Sequence, residues 1–96
     1  MSKTFSIEEH DKLFEAILKL STIEEARLFF EDICTIKELQ DLSQRLVVAK
    51  MLNRGEKYQS IEETTGASTA TISRVNKCLT YGNGGYRTAL EKLESN

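Results

Sequence analysis

At three points in the first 38 residues where spaced apolar residues begin, a hydroxyl side chain stands three positions before a glutamate: Ser6 with Glu9, Thr22 with Glu25, Thr35 with Glu38. In such a capping box the hydroxyl accepts from a backbone N–H three residues on, and the glutamate reaches back to the cap N–H. Both satisfy donors that a helix start leaves open. The chain contains no proline to break the helices these caps begin. The spacing predicts a helix from Ile7 to about Leu20, carried by Ile7, Leu13, Phe14, Ile17, Leu18 and Leu20. A second runs from Ile23 to Ile33, where Ala26, Leu28, Phe29 and Phe30 widen the apolar face.

After Thr35, Ile36, Leu39, Leu42, Leu46, Ala49 and Leu52 recur at threes and fours, and Gly55 is a natural stop. This pattern fits one helix over 36–54 or two with a break near Ser43. "YQSIEETTG" then reads as a short helix ending near Thr65, with Gly66 at the turn and Ser68 capping a helix from Thr69 to about Leu79. Two short helices about a glycine turn, here over 58–79, are the layout of a helix-turn-helix. "YGNGGY" reads as a loop, since its glycines match no phosphate-binding fingerprint and no strand precedes it. A last helix from Tyr86 to about Glu94 should turn Leu90 and Leu93 inward. The expected fold class is all-α, in one domain over residues 1–96.

A chain of 96 residues has little core of its own, which makes self-association an expectation. No run approaches the length of a bilayer crossing and the N-terminus shows no leader pattern, so the chain is expected in the cytoplasm, away from membranes. Cys34 and Cys78 lie far apart without His or Cys at metal spacing, so buried thiols are expected rather than a disulfide, metal or cofactor site. His10, on an acidic helix, has no nucleophile at identifiable spacing, and an enzyme is not expected.

Charge is divided along the chain. Residues 1–42 carry ten acids and five bases, and residues 43–96 five acids and eight bases, so the net −2 separates into −5 and +3. No Asp or Glu occurs from Thr64 to Leu90, while Arg74, Lys77 and Arg87 do. That distribution leaves a nucleic-acid partner open despite the acidic total.

The stretch from "QRLVVAKMLNRGE" through "TGASTATISRVNKCL" to "GYRTALEKL" resembles the Trp repressor superfamily, and nearly the whole chain is similar to its YerC/YecD branch of Trp repressor-related proteins. "TGASTATISRV" and "YGNGGY" are the most specific words. The resemblance implies an all-helical, intertwined homodimer that binds duplex DNA through the helix-turn-helix and regulates transcription, as a repressor. Two motifs related by the dimer axis would meet half-sites about one DNA turn apart. One departure is Glu62, where such a motif usually holds a small residue against the turn.

The local chemistry agrees. With Gly66 at the turn, Ile61, Ala67, Ile72 and Val75 fall at buried positions, leaving Thr69, Ala70, Thr71, Ser73, Arg74, Asn76 and Lys77 at the surface. Ser68, Thr69 and the N–H groups beside them suit phosphate at a helix start. Thr69, Ala70 and Ser73 are short enough to let the helix enter a major groove, where a threonine or alanine methyl can meet a thymine methyl. Lys77, Lys57 and Arg54 would supply salt-dependent phosphate attraction, and Gln59 could reach a phosphate or base edge.

In the superfamily's founding member two arginines hold tryptophan, and the resemblance carries them to Arg45 and Arg74. The expected ligand pocket therefore comprises Arg45, Arg74, Val75 and Cys78. Val75 stands where that member has glycine, and Cys78 where it has a hydroxyl, so tryptophan is not expected to bind, while another small effector stays open. Leu28, Phe29, Phe30, Ile33 and Leu39 are the expected dimer interface, with packing inside one chain as the alternative. A different function for the fold is a protein-interaction module without specific DNA binding, which Glu56, Glu62 and Glu63 beside the motif would suit.

Overall fold

The computed structural model describes Thr4 and residues 6–95, and the outermost N-terminal residues read above for a leader lie outside them. Among the described residues it is all-helical: α1 (Ile7–Lys19), α2 (Ile23–Ile33), α3 (Ile36–Asn53), α4 (Tyr58–Thr65), α5 (Thr69–Tyr81) and α6 (Gly85–Glu94). Contacts gather into two compact units, Met1–Leu39 and Gln40–Asn96.

In the first unit the caps form as their chemistry requires. Ser6 accepts from the Glu9 N–H at 3.3 Å while the Glu9 carboxylate accepts from the Ser6 N–H at 3.3 Å. Thr35 and Glu38 exchange the same pair of bonds at 3.0 and 2.8 Å. At α2 the Glu25 N–H donates to Thr22 at 3.1 Å, but the Glu25 carboxylate reaches one residue further, to the Ser21 N–H at 2.8 Å and hydroxyl at 3.2 Å. The Ser21 N–H, then the Ser21 hydroxyl, hold the Glu25 pKa below its ordinary value. Neither α1 nor α2 contains a buried residue, although both are amphipathic. Phe29 and Phe30 meet edge to face at 5.7 Å.

The second unit has the core. Val48, Ala49 and Met51 of α3, Ile61 of α4, Ala67 in the turn, Ile72 and Val75 of α5 and Leu90 of α6 form one buried cluster, with Leu52, Tyr58 and Tyr86 against it. α3 runs through Ser43 without a break, settling it as one helix. It stops in a Schellman arrangement: Gly55, at φ +81°, donates to the Leu52 carbonyl at 2.9 Å and Glu56 to the Met51 carbonyl at 3.1 Å.

Two expectations need correction. Leu93 is 64% exposed, because it lies on the last turn of α6 where no described element covers it. Cys78 is exposed and Cys34 half-buried, so neither is a buried thiol. Cys78 borders the buried stripe Ile72, Val75 and Leu79 without joining it. Among the described residues no helix is long and apolar enough to cross a membrane.

Candidate nucleic-acid interface

The turn between α4 and α5 is tied by several independent bonds. Gly66 takes the left-handed conformation at φ +73° and donates to the Glu62 carbonyl at 2.9 Å. The Thr65 hydroxyl donates to the Ile61 carbonyl at 2.7 Å and accepts from the Ala67 N–H at 3.1 Å. Gln44 of α3 donates to the Thr65 carbonyl at 3.0 Å, satisfying an acceptor that the end of α4 leaves open. Ser68 then caps α5, accepting from the Thr71 N–H at 3.1 Å.

This frame fixes the rotation of α5. Its buried residues Ile72, Val75 and Leu79 recur at i, i+3 and i+7, and Ile61, Ala67 and Leu90 join them in the buried interior. Ala70, Ser73, Arg74 and Lys77 recur at i, i+3, i+4 and i+7 on the other side and all four are exposed. They form a face of short side chains with two cations and no carboxylate. Ser68 and Thr69 at its start are exposed as well, while Thr71 and Asn76 at its edges are half-buried. The Thr71 hydroxyl is 3.1 Å from the Ser68 hydroxyl.

Arg54 and Lys57 are exposed on the connection from α3 to α4, and Lys57 precedes α4 without a side-chain cap bond. Gln59 is exposed on α4, its amide donating to the Glu63 carboxylate at 3.4 Å. Arg87, the third cation of the acid-free stretch, is engaged within the fold: its Nε donates to the Leu79 carbonyl at 3.1 Å near the end of α5. A cation there also complements the negative end of the helix dipole.

The residues expected around a small ligand differ in exposure. Arg45 and Cys78 line an open groove of about 520 Å³, together with Leu42, Leu46, Gly82, Asn83, Gly85, Tyr86 and Ala89. The Arg45 Nε donates to the Asp41 carbonyl at 3.3 Å. Arg74 is instead on the exposed face of α5, and Val75, 2% exposed, is part of the core.

Sequence reasoning missed one contact. The Thr69 hydroxyl at the start of α5 donates to the Glu62 carboxylate of α4, so an acid does reach the acid-free segment in space. Its only sequence signal is the unusual glutamate four residues before Gly66.

The family model described as Trp repressor protein matches residues 8–94. The uncharacterised protein YerC of Bacillus subtilis (strain 168) is 56% identical over 86 residues, which span 90% of this chain and 83% of YerC. A TrpR-like protein from Eubacterium eligens ATCC 27750 superposes with a TM-score of 0.89 at 54% identity, covering 93% of this chain and 92% of its own. A candidate Trp repressor from Staphylococcus aureus gives a TM-score of 0.86 at 48% identity, covering 95% and 96%.

Proposed function

The chain belongs to the Trp repressor family, and from that premise we propose that it is a sequence-specific DNA-binding regulator of transcription, a repressor, acting as a homodimer in the cytoplasm. The observation that carries the reading is the exposed face of Ala70, Ser73, Arg74 and Lys77, with Ser68 and Thr69 at its start, on a helix whose other side is packed into the core. In this reading α4, Gly66 and α5 are a helix-turn-helix, and Ser68 to Lys77 enter the major groove. Arg74 offers a planar fork to a base edge or phosphate, while Lys77, Lys57 and Arg54 meet phosphates. Gln59 and Thr71 stand at the margin of that contact.

The homodimer is supported by α1 and α2. Neither buries a residue, yet Ile7, Leu18, Ile23 and Leu28 are 76, 82, 73 and 64% exposed. So much apolar surface on two helices is what a partner covers, and a two-fold pair of such chains would present two copies of α5. Leu28, Phe29, Phe30, Ile33 and Leu39 are proposed for that interface.

Tryptophan does not serve as corepressor in this reading. Val75 has its side chain in the core, and Arg74 does not line the groove that holds Arg45 and Cys78.

The test is duplex binding by the full chain and by Arg74→Ala, together with its sedimentation. The proposal expects a species of twice the 10.9 kDa chain mass and a clear loss of DNA affinity in the variant. Weak binding that Arg74→Ala leaves unchanged would favour the protein-interaction module, and a 10.9 kDa species alone at micromolar concentration would refute the dimer.

A further inference from the structure

The Glu62 carboxylate, which accepts from the Thr69 hydroxyl, is a charge that the face of α5 lacks from its own sequence. α5 has no acid in its first turn, and no Asp or Glu occurs from Thr64 to Leu90. Glu62 therefore sets the local charge where the recognition helix begins. It is half-buried, anchored on α4 through its backbone bond to Gly66 and on α5 through Thr69.

A helix start with a positive dipole end and open N–H groups ordinarily attracts phosphate. A carboxylate held over that turn opposes it. An ionised carboxylate only accepts hydrogen bonds, and with the Thr69 proton taken up by one oxygen, lone pairs remain for another donor. In the major groove the donors are the amino groups of cytosine and adenine. The adenine amino group has an acceptor on each side, its own N7 and the paired thymine O4, which would face the carboxylate lone pair to lone pair, whereas the cytosine amino group has one, the paired guanine O6, and a C–H on its other side.

Resting on the reading that α5 enters the major groove, we propose that Glu62 is a specificity-determining residue of the DNA interface. In place of the phosphate that the sequence suggests for Ser68 and Thr69, its carboxylate keeps phosphate from the start of α5 and accepts from the amino group of a cytosine at one position in each half-site. The same charge lowers attachment to arbitrary duplex, which is dominated by phosphate, and raises the demand for the correct base.

The experiment compares the full-length wild type, Glu62→Gln and Glu62→Ala. Each is used for selection from a random duplex pool, then for affinity on the selected and on a scrambled duplex at fixed salt, with thermal melting as the folding control. Glu62→Gln keeps the shape and an acceptor for Thr69 while removing the charge, and it carries the test if Glu62→Ala fails to fold. The expected gain on scrambled duplex is about three- to tenfold. Preference for cytosine at one symmetric position should fall by about fivefold or more, with the rest of the consensus retained.

If folded variants keep both the wild-type consensus and the wild-type affinity for scrambled duplex, Glu62 only secures the turn and the proposal is overturned. If the wild type itself enriches no sequence, the DNA reading fails and takes this proposal with it. The wild-type arm separates the two failures.

Discussion

Lys77→Ala removes one exposed cation from α5 and nothing from its buried stripe, so it isolates phosphate attraction from folding. Lys77 occurs once per chain and twice in the proposed homodimer. Each phosphate contact on duplex DNA contributes about 0.9 to the fall of log affinity with log salt, so two lost contacts should flatten that slope by about 1.8. Between roughly 50 and 200 mM salt, the variant should then lose about twelvefold less affinity than the wild type loses. At low salt it should bind more weakly, because the attraction that salt would have screened is already gone. Fluorescence anisotropy of a labelled duplex across a potassium chloride series measures both quantities, with far-UV circular dichroism to verify the fold. Parallel salt lines for variant and wild type would refute the phosphate contact, whatever the absolute affinities.

The remaining predictions concern the frame that carries this face. Ile72 is fully buried, so Ile72→Ala should cost roughly 2–5 kcal/mol through lost burial and a residual cavity, read as a large drop in the urea midpoint at fixed protein concentration. A loss below about 0.5 kcal/mol, the level of an ordinary surface substitution, would mean that the site is not core. At Gly66 a built Cβ meets nothing within 4 Å, but φ is +73°, so Gly66→Ala should cost only the backbone penalty of about 1–2 kcal/mol; unchanged stability would count against this turn geometry. Glu25 has a pKa lowered by the Ser21 N–H, so its contribution to the start of α2 is present above the unfolded glutamate pKa and is lost as pH falls through the folded one. NMR titration should find Glu25 below the ordinary glutamate range, and an ordinary value would remove the bond from solution.

Legibility followed the range of the forces involved. Caps are contacts between residues three or four apart, so Ser6, Thr22, Thr35 and Ser68 could be read from spacing alone. Gly66 was legible for the same reason, since a left-handed turn favours the residue without a Cβ. The stripe Ile61, Ala67, Ile72 and Val75 is buried as expected, because a two-helix unit has only one side on which to hide those residues. Periodicity names a face without naming what covers it. Leu90 is 2% exposed and Leu93, one turn on, 64%, although both satisfy the same spacing.

The apolar faces of α1 and α2 pose the same difficulty on a larger scale, since a residue awaiting a partner chain and a residue of the core look alike in sequence. The reach of Glu62 to Thr69 depends on the path of the turn, so its partner could not be named from spacing. The place of Arg74 on the exposed face of α5 likewise becomes visible only once Val75 is seen in the core and fixes the rotation of that helix.

The most direct test of the central claim is selection of bound duplexes from a random pool by the purified full chain at moderate salt, with and without L-tryptophan. A two-fold symmetric consensus with half-sites about one DNA turn apart, the same in both arms, is the predicted result. A consensus that appears only with tryptophan would contradict the proposed indifference to that amino acid. No enriched sequence in either arm would contradict DNA recognition by α5 itself.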